Sequence, residues 1–320
     1  MTTAIRLGIS SCLLGNNVRY DNSNKWDRFL TDTLGRYVEY VPVCPEFESG
    51  LGVPREPVRQ VGNPLSPRLV TTRTKIDHTD RMVSWAKQRV RDLEQEKLCG
   101  FIFKAGSPSS GMERIKVYPE QGGMPVKKGV GIFARIFMEH FPRLPVEEDG
   151  RLHDVNLREN FIERIFTLKR WRELLAQKKN RGGLVEFHTR HKLLLLSHST
   201  RHYQLMGRLV SGDKKTSISD LFDSYEVLLL EALTLKSTPK KNANVLQHMM
   251  GYFKKDLSAD EKQELLEVID NYRTALIPLI VPITLINHYV RKYNQHYLKD
   301  QLYLNPHPIE LQLRNHVWMI

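Results

Sequence analysis

Three short segments in the first part of the chain carry groups able to do chemistry. Ser10-Ser11-Cys12-Leu13-Leu14-Gly15 is followed closely by Val18-Arg19-Tyr20-Asp21. Cys44-Pro45-Glu46 comes next, and Ser107-Pro108-Ser109-Ser110-Gly111 runs into Met112-Glu113-Arg114. A thiolate is a nucleophile or a soft metal ligand, a carboxylate can take a proton from water, and hydroxyls orient water or substrate by hydrogen bonding. Each group taken singly also has a plainer reading. A buried cysteine often packs as a small hydrophobe, a lone glutamate is often a solvated loop acid, and Arg19 with Asp21 reads as a structural ion pair.

The elements around these groups favour the chemical reading. Ile5 to Ser10, Tyr40 to Val43 and Gly100 to Lys104 are short apolar runs of the kind that form buried parallel strands. Asp77 to Glu96 places Met82, Trp85, Ala86, Arg89, Val90 and Leu93 at helical spacing, and a second helix is expected after Lys128. This alternation predicts an open Rossmann-like parallel α/β sheet. Such sheets bind ligands beyond the carboxyl ends of their strands, and each reactive segment follows one of the three runs. Cys99, by contrast, precedes its strand. Gly100 to Lys104 extends about 17 Å at ~3.3 Å per residue, so Cys99 is expected far from the rim as a structural residue. The proline-bearing stretch 53–66 reads as a loop.

Residues 146–156, around RLPVEEDGRL, read as a linker between a domain over 1–145 and an all-α domain over 157–320. Helices are expected over 160–179, 186–210, 218–235, 243–253 and 258–275. Ser258 with Glu261 forms a capping box at the start of the last. His188 and His191 are three apart, and His198 and His202 four apart. That spacing suits zinc, but no cysteine or clustered acid stands beside them in sequence, and packing or RNA contact suits them as well.

Composition sets outer bounds. The chain has 320 residues, 41% of them hydrophobic and 26% charged, which excludes disorder throughout. Three cysteines make no disulfide framework. No apolar run reaches the ~18 residues of a membrane span, since Pro278 and Pro282 interrupt the nearest, 275–286. No secretory signal is read at the N-terminus. A soluble cytoplasmic protein is expected. The net charge is +12, with +4 carried up to Gly150 and +8 beyond it, and an excess of this kind attracts polyanions such as nucleic acid.

The ordered motifs SSCLLG with VRYD, then CPE, then SPSxG, resemble the thiouracil desulfidase (TudS-like) family over about residues 5–145. RGGLVEFHTRHKLLLLSHS, NVLQHMMGYF and QLYLNPHPIELQLR resemble the YbgA-like helical domain from about Asn156 onward. In this order the two resemble the two-domain (RudS-like) desulfidases. The resemblance implies a four-iron four-sulfur cluster held by three cysteines with one iron open. It also implies non-redox conversion of 4-thiouridine in tRNA to uridine, with tRNA bound by the helical domain. Cys12 and Cys44 match the first two ligands, Glu46 the catalytic glutamate and Ser107 the catalytic serine. The third ligand position is Ser110, where the family has cysteine. Three outcomes stay open: Ser110 ligates, another group does, or the cluster is lost and an RNA-binding protein remains. Lys169, Arg170, Arg172, Lys178, Lys179 and Arg181 are the phosphate-contacting candidates, with Lys178, Lys179 and Arg181 expected on the outer face of an amphipathic helix.

Overall fold

The computed structural model describes residues 4–212 and 215–317. The chain divides into two compact units, residues 1–154 and 155–320.

In chain order the first unit contains β1 (Ile5–Ser10), β2 (Val38–Val43), β3 (Val58–Val61), β4 (Arg68–Thr71), α1 (Thr79–Glu94), β5 (Gly100–Phe103), β6 (Ile115–Tyr118), β7 (Val126–Gly129), α2 (Ile132–His140) and β8 (Val146–Glu148). One sheet has the order β2-β1-β5-β8, and every neighbouring pair in it is parallel. β1 is central and buried along almost its whole length, which is why it reads as a continuous apolar run rather than an alternating one. Its Gly8 is dictated by packing, because a Cβ there would meet the Phe101 ring at 2.1 Å. α1 lays Met82, Ala86, Val90 and Leu93 inward. The core gathers Phe101, Phe103, Phe133 and Phe137, with the rings of Phe101 and Phe103 4.4 Å apart. The parallel α/β architecture expected from the sequence is present.

Two expectations are corrected. The 53–66 stretch is not all loop, because it contains β3, which joins a second sheet ordered β4-β3-β6-β7. Strands of four residues, one of them largely exposed (β7, VKKG), carry too little periodicity to be recognised. Residues 146–156 are not a linker. Val146 pairs with Phe101 and Glu148 with Phe103 in β8, and Val155 already begins the next helix. The acids disguised this strand: Glu147 is held by Arg151 at 2.5 Å, and Glu148 accepts the Met112 N–H at 2.5 Å.

The second unit, among its described residues, is helical: α3 (Val155–Gln177), α4 (Arg181–His198), α5 (Thr200–Ser211), α6 (Ile218–Thr234), α7 (Pro239–Met250), α8 (Ala259–Arg273), α9 (Ile280–Lys292) and a short α10 (His296–Lys299). Trp171 on α3 is fully buried and stacks on Tyr225 of α6 with centroids 5.2 Å apart. The Ser258–Glu261 capping box is present in full. The helix expected over 186–210 is two helices. Ser199 is extended (φ −159°), and its Oγ accepts the His202 N–H to start α5. The leucine run through Leu196 hides that break. α9 lies beyond the helices expected from the sequence. Pro282 sits in the first turn, where the missing N–H has no intrahelical partner to lose. No helix among the described residues is long and apolar enough to cross a membrane.

Candidate active site

β1, β2 and β5 deliver their carboxyl ends side by side, with Ser10 in register with Val43 and Ile9 with Ile102. Directly beyond β1, Ser11–Leu14 forms a single 3-10 turn, closed by Gly15 at φ 90°. Beyond β2 come Cys44 and Glu46, and beyond β5 Lys104 leads to Ser107. Ser10 ties the first loop to the third, its Oγ accepting the Lys104 N–H at 2.8 Å. The result is a cavity of about 190 Å³ lined by Cys12, Cys44, Glu46, Ser107 and Ser110, with Arg19, Arg55 and Lys104 supplying positive charge. All five site residues named from sequence for this half therefore face one space. Cys99 lies elsewhere: it is buried at the start of β5, its N–H donating to Arg6 O at 2.8 Å.

Two residues essential to this geometry escaped the sequence reading. Glu46 Oε1 accepts a hydrogen bond from Ser109 Oγ at 2.6 Å, closer than Ser107 Oγ at 3.4 Å. Glu46 Oε2 accepts from Arg55 Nη2 at 2.9 Å, and Arg55 also donates to Val18 O and Gly52 O. The carboxylate is thus clamped from both sides. Ser109 was visible only as a neighbour of better candidates, and Arg55 lay in a stretch taken for loop. Arg19 lies 3.7 Å from Asp21, in accord with the ion-pair reading, while also lining the cavity.

The serine turn is held from behind. Gln60, fully buried in β3, donates from Nε2 to Pro108 O at 2.8 Å and to Val130 O at 2.7 Å. At the head of α2, the Phe133 N–H donates to Ser109 O at 2.9 Å. A Cβ on Gly131 would come within 2.6 Å of the Ser109 backbone, so only glycine lets α2 approach this closely. Replacing Gln60 by leucine removes both donations, leaving Pro108 O only the long bond from the Ile132 N–H at 3.3 Å, at about 0.5–1.5 kcal/mol for each lost hydrogen bond. We expect Gln60→Leu to lower the thermal midpoint measurably. An unchanged midpoint would show that those carbonyls find other donors.

Both thiols are neutral when nothing is bound. Burial pushes Cys12 up to about 11, partly offset by Lys104 and Arg19. Burial, followed by the charge of Glu46, pushes Cys44 up to about 12. Cys44 Sγ lies 3.7 Å from Val18 O, which accepts its proton. Two sulfur donors and one hydroxyl sharing a cavity fit an iron–sulfur group at two positions. At the third, Ser110 is a harder donor than a thiolate.

In the helical unit the basic run does not form one outer face. Arg170 is half-buried, donates to Pro306 O, and is pulled down to about 10 by loss of solvent around its guanidinium. Lys169 is mostly covered and lies 3.5 Å from Glu173. Arg172 is half-buried on α3. Lys178 and Lys179 are exposed in the turn after α3, Lys178 pairing with Glu186 at 2.8 Å. Arg181 opens α4 and donates to Thr216 O at 2.5 Å. His188 and His191 serve packing. His188 Nδ1 lies 3.1 Å from the Tyr225 hydroxyl, and the His191 ring stacks on Phe187 at 3.8 Å. Burial pushes them down to about 4 and about 3. His198 and His202 do not share a helix, because the break at Ser199 separates them.

Comparison with known proteins gives a two-part picture. Residues 7–149 match the family model described as "2-thiouracil desulfurase". Residues 192–308 match the one described as "Protein of unknown function (DUF1722)". The "Uncharacterized protein YbgA" of Escherichia coli (strain K12) is 32% identical over 153 residues, which are 48% of this chain and 90% of that protein. A solved structure of the "4Fe-4S-dependent thiouracil desulfidase TudS" aligns over 48% of this chain and 97% of its own, at 26% identity and a TM-score of 0.40.

Proposed function

The chain belongs to the YbgA family and carries a 2-thiouracil desulfurase domain ahead of its helical part, and from that premise we propose that it removes sulfur from 4-thiouridine in tRNA, leaving uridine. The observation that carries this reading is the single cavity shared by Cys12, Cys44, Glu46 and the serine turn, inside the segment that matches the desulfurase model. The overall change replaces C=S by C=O, consumes water and releases sulfide, with no net electron transfer. Cys12, Cys44 and Ser110 would hold a four-iron four-sulfur cluster. When bound, that cluster supplies a thiophilic Lewis acid for the departing sulfur. Glu46, held by Arg55 and Ser109, takes the proton from the attacking water. Ser107 Oγ, at the cavity wall, orients water or substrate.

A second reading is favoured by Ser110: a tRNA-binding protein on the same scaffold with weakened or lost cluster chemistry. One experiment separates the two. Anaerobically reconstituted protein is mixed with thiolated tRNA, and loss of the thiocarbonyl absorbance is followed together with released sulfide. Turnover supports desulfuration. Binding without turnover in iron-loaded protein supports the second reading.

The +8 charge beyond Gly150 supports the tRNA partner. Affinity should fall with salt by ~0.7–0.9 log units per log unit of salt for each neutralised phosphate. Reversing the exposed Lys178 and Lys179, with Arg181, to glutamate should weaken binding and flatten that slope. An unchanged slope in filter binding would remove this surface from RNA contact.

A further inference from the structure

Two sequence motifs of the second half, LLLLSHS and NPHPIELQLR, have no part in the cavity described above. The fold brings their histidines to one buried place in the helical unit. Glu159 and Glu163 lie four apart on α3 and therefore share a face, and both are buried. Arg314 takes one oxygen of each, donating from Nε to Glu159 Oε1 at 3.0 Å and from Nη2 to Glu163 Oε1 at 2.8 Å.

His198 ends α4 and is fully buried. Its Nδ1 is 2.6 Å from the Leu235 carbonyl, which can only accept, so Nδ1 carries the proton. The Nε2 of the neutral ring then presents a lone pair. It lies 3.2 Å from Glu163 Oε2, itself an acceptor, and has no hydrogen-bond partner. His307 repeats the pattern: Nδ1 faces Pro308 O at 3.2 Å, and Nε2 is buried without a partner. One ligand atom from each of Glu159, Glu163 and His307 lies within 4.8 Å of the others. Arg314 satisfies one oxygen of each carboxylate, while the Nε2 lone pairs of His198 and His307 are left without a donor, an arrangement that a cation would complete.

We propose that Glu159, Glu163 and His307 form a zinc site that staples α3 to the C-terminal segment, with His198 at the end of α4 beside Glu163. Carboxylate and imidazole donors suit zinc. Zinc–ligand bonds of ~2.0–2.1 Å in a tetrahedron place ligand atoms about 3.3 Å apart, a spacing that the ligand atoms of Glu159, Glu163 and His307, all within 4.8 Å of one another, reach by small side-chain adjustments. Arg314 is then the outer partner that orients both carboxylates, as ligating carboxylates generally require. Leu235 O and Pro308 O fix the two ring tautomers in the same way. A cavity of about 60 Å³ bordered by His307 and Arg314 provides an approach. The alternative occupant is a proton, with His198 charged and paired to Glu163.

The test uses the full chain with Cys12→Ser and Cys44→Ser, so that no thiol of the cavity binds the probe. Chelator-stripped protein is titrated with Zn²⁺ by calorimetry, its thermal midpoint is followed, and the zinc X-ray absorption edge is recorded. One equivalent should bind, the midpoint should rise by several degrees, and the zinc shell should hold nitrogen and oxygen without sulfur. His307→Gln, which gives up only the Pro308 contact, should fold and bind Zn²⁺ at least tenfold more weakly. Absence of binding, or binding unchanged in His307→Gln, would overturn the site in favour of a buried ion-pair network. A loaded protein no more stable than the stripped one would overturn the stapling role.

Discussion

Glu46→Gln protein should load iron as the wild type does and lose turnover by about 10²–10⁴-fold, the usual worth of a positioned general base. The reasoning is geometric. Glutamine has the same shape, and its amide oxygen still accepts from Arg55 or Ser109, so the cavity wall stays in place. It cannot take a proton from water. Glu46 is no candidate ligand, so iron and sulfide content should not change. Ser107→Ala should slow the reaction less, because Ser109 remains 2.6 Å from the carboxylate. Single-turnover sulfide release from thiolated tRNA, measured beside iron content, decides the matter. A Glu46→Gln protein working at the wild-type rate would take Glu46 out of the mechanism.

Iron loading itself should collapse to background in Cys12→Ala and in Cys44→Ala. These two residues stand on adjacent strand ends and, among the described residues, are the only sulfur donors lining the cavity. With two soft ligands and one hydroxyl, losing either thiol leaves too little thiolate to hold a cluster. Ser110→Cys should act in the opposite direction, raising cluster occupancy after anaerobic reconstitution or extending its survival in air. The turn should accept the change, since Gln60 and the head of α2 hold it through backbone carbonyls that the substitution leaves alone. Equal iron in wild type and both alanine variants would rule out this ligand set. No gain from Ser110→Cys would mean that another group already fills the third position.

The reactive half was legible because its signals are local. A strand buried on both faces must be apolar along its length, so β1 and β5 stand out, while the half-buried edge strand β2 shows only through the short run from Tyr40 to Val43. In a parallel sheet the residues just after such strands gather at one edge. That much placed Cys12, Cys44, Glu46, Ser107 and Ser110 on one rim and Cys99 away from it. The capping box at Ser258 and the helical character of the second half were equally local. Where the signal was short or masked by charge, as in β3, β7 and β8, the reading failed.

The amino-acid sequence by itself determined which donors exist, which strand each one follows, and that the second half is helical, because apolar periodicity and capping residues set the local backbone state. Only the tertiary structure decided that Arg55 and Ser109 clamp Glu46, that Arg170 turns inward to Pro306, and that Arg314 meets Glu159 and Glu163 from more than 150 residues away. Charged and polar side chains have no periodicity that announces a partner. Whether such a group faces water or another group depends on which surfaces the packed elements bring together, and that is settled by the packing of the whole unit rather than by any stretch of its sequence.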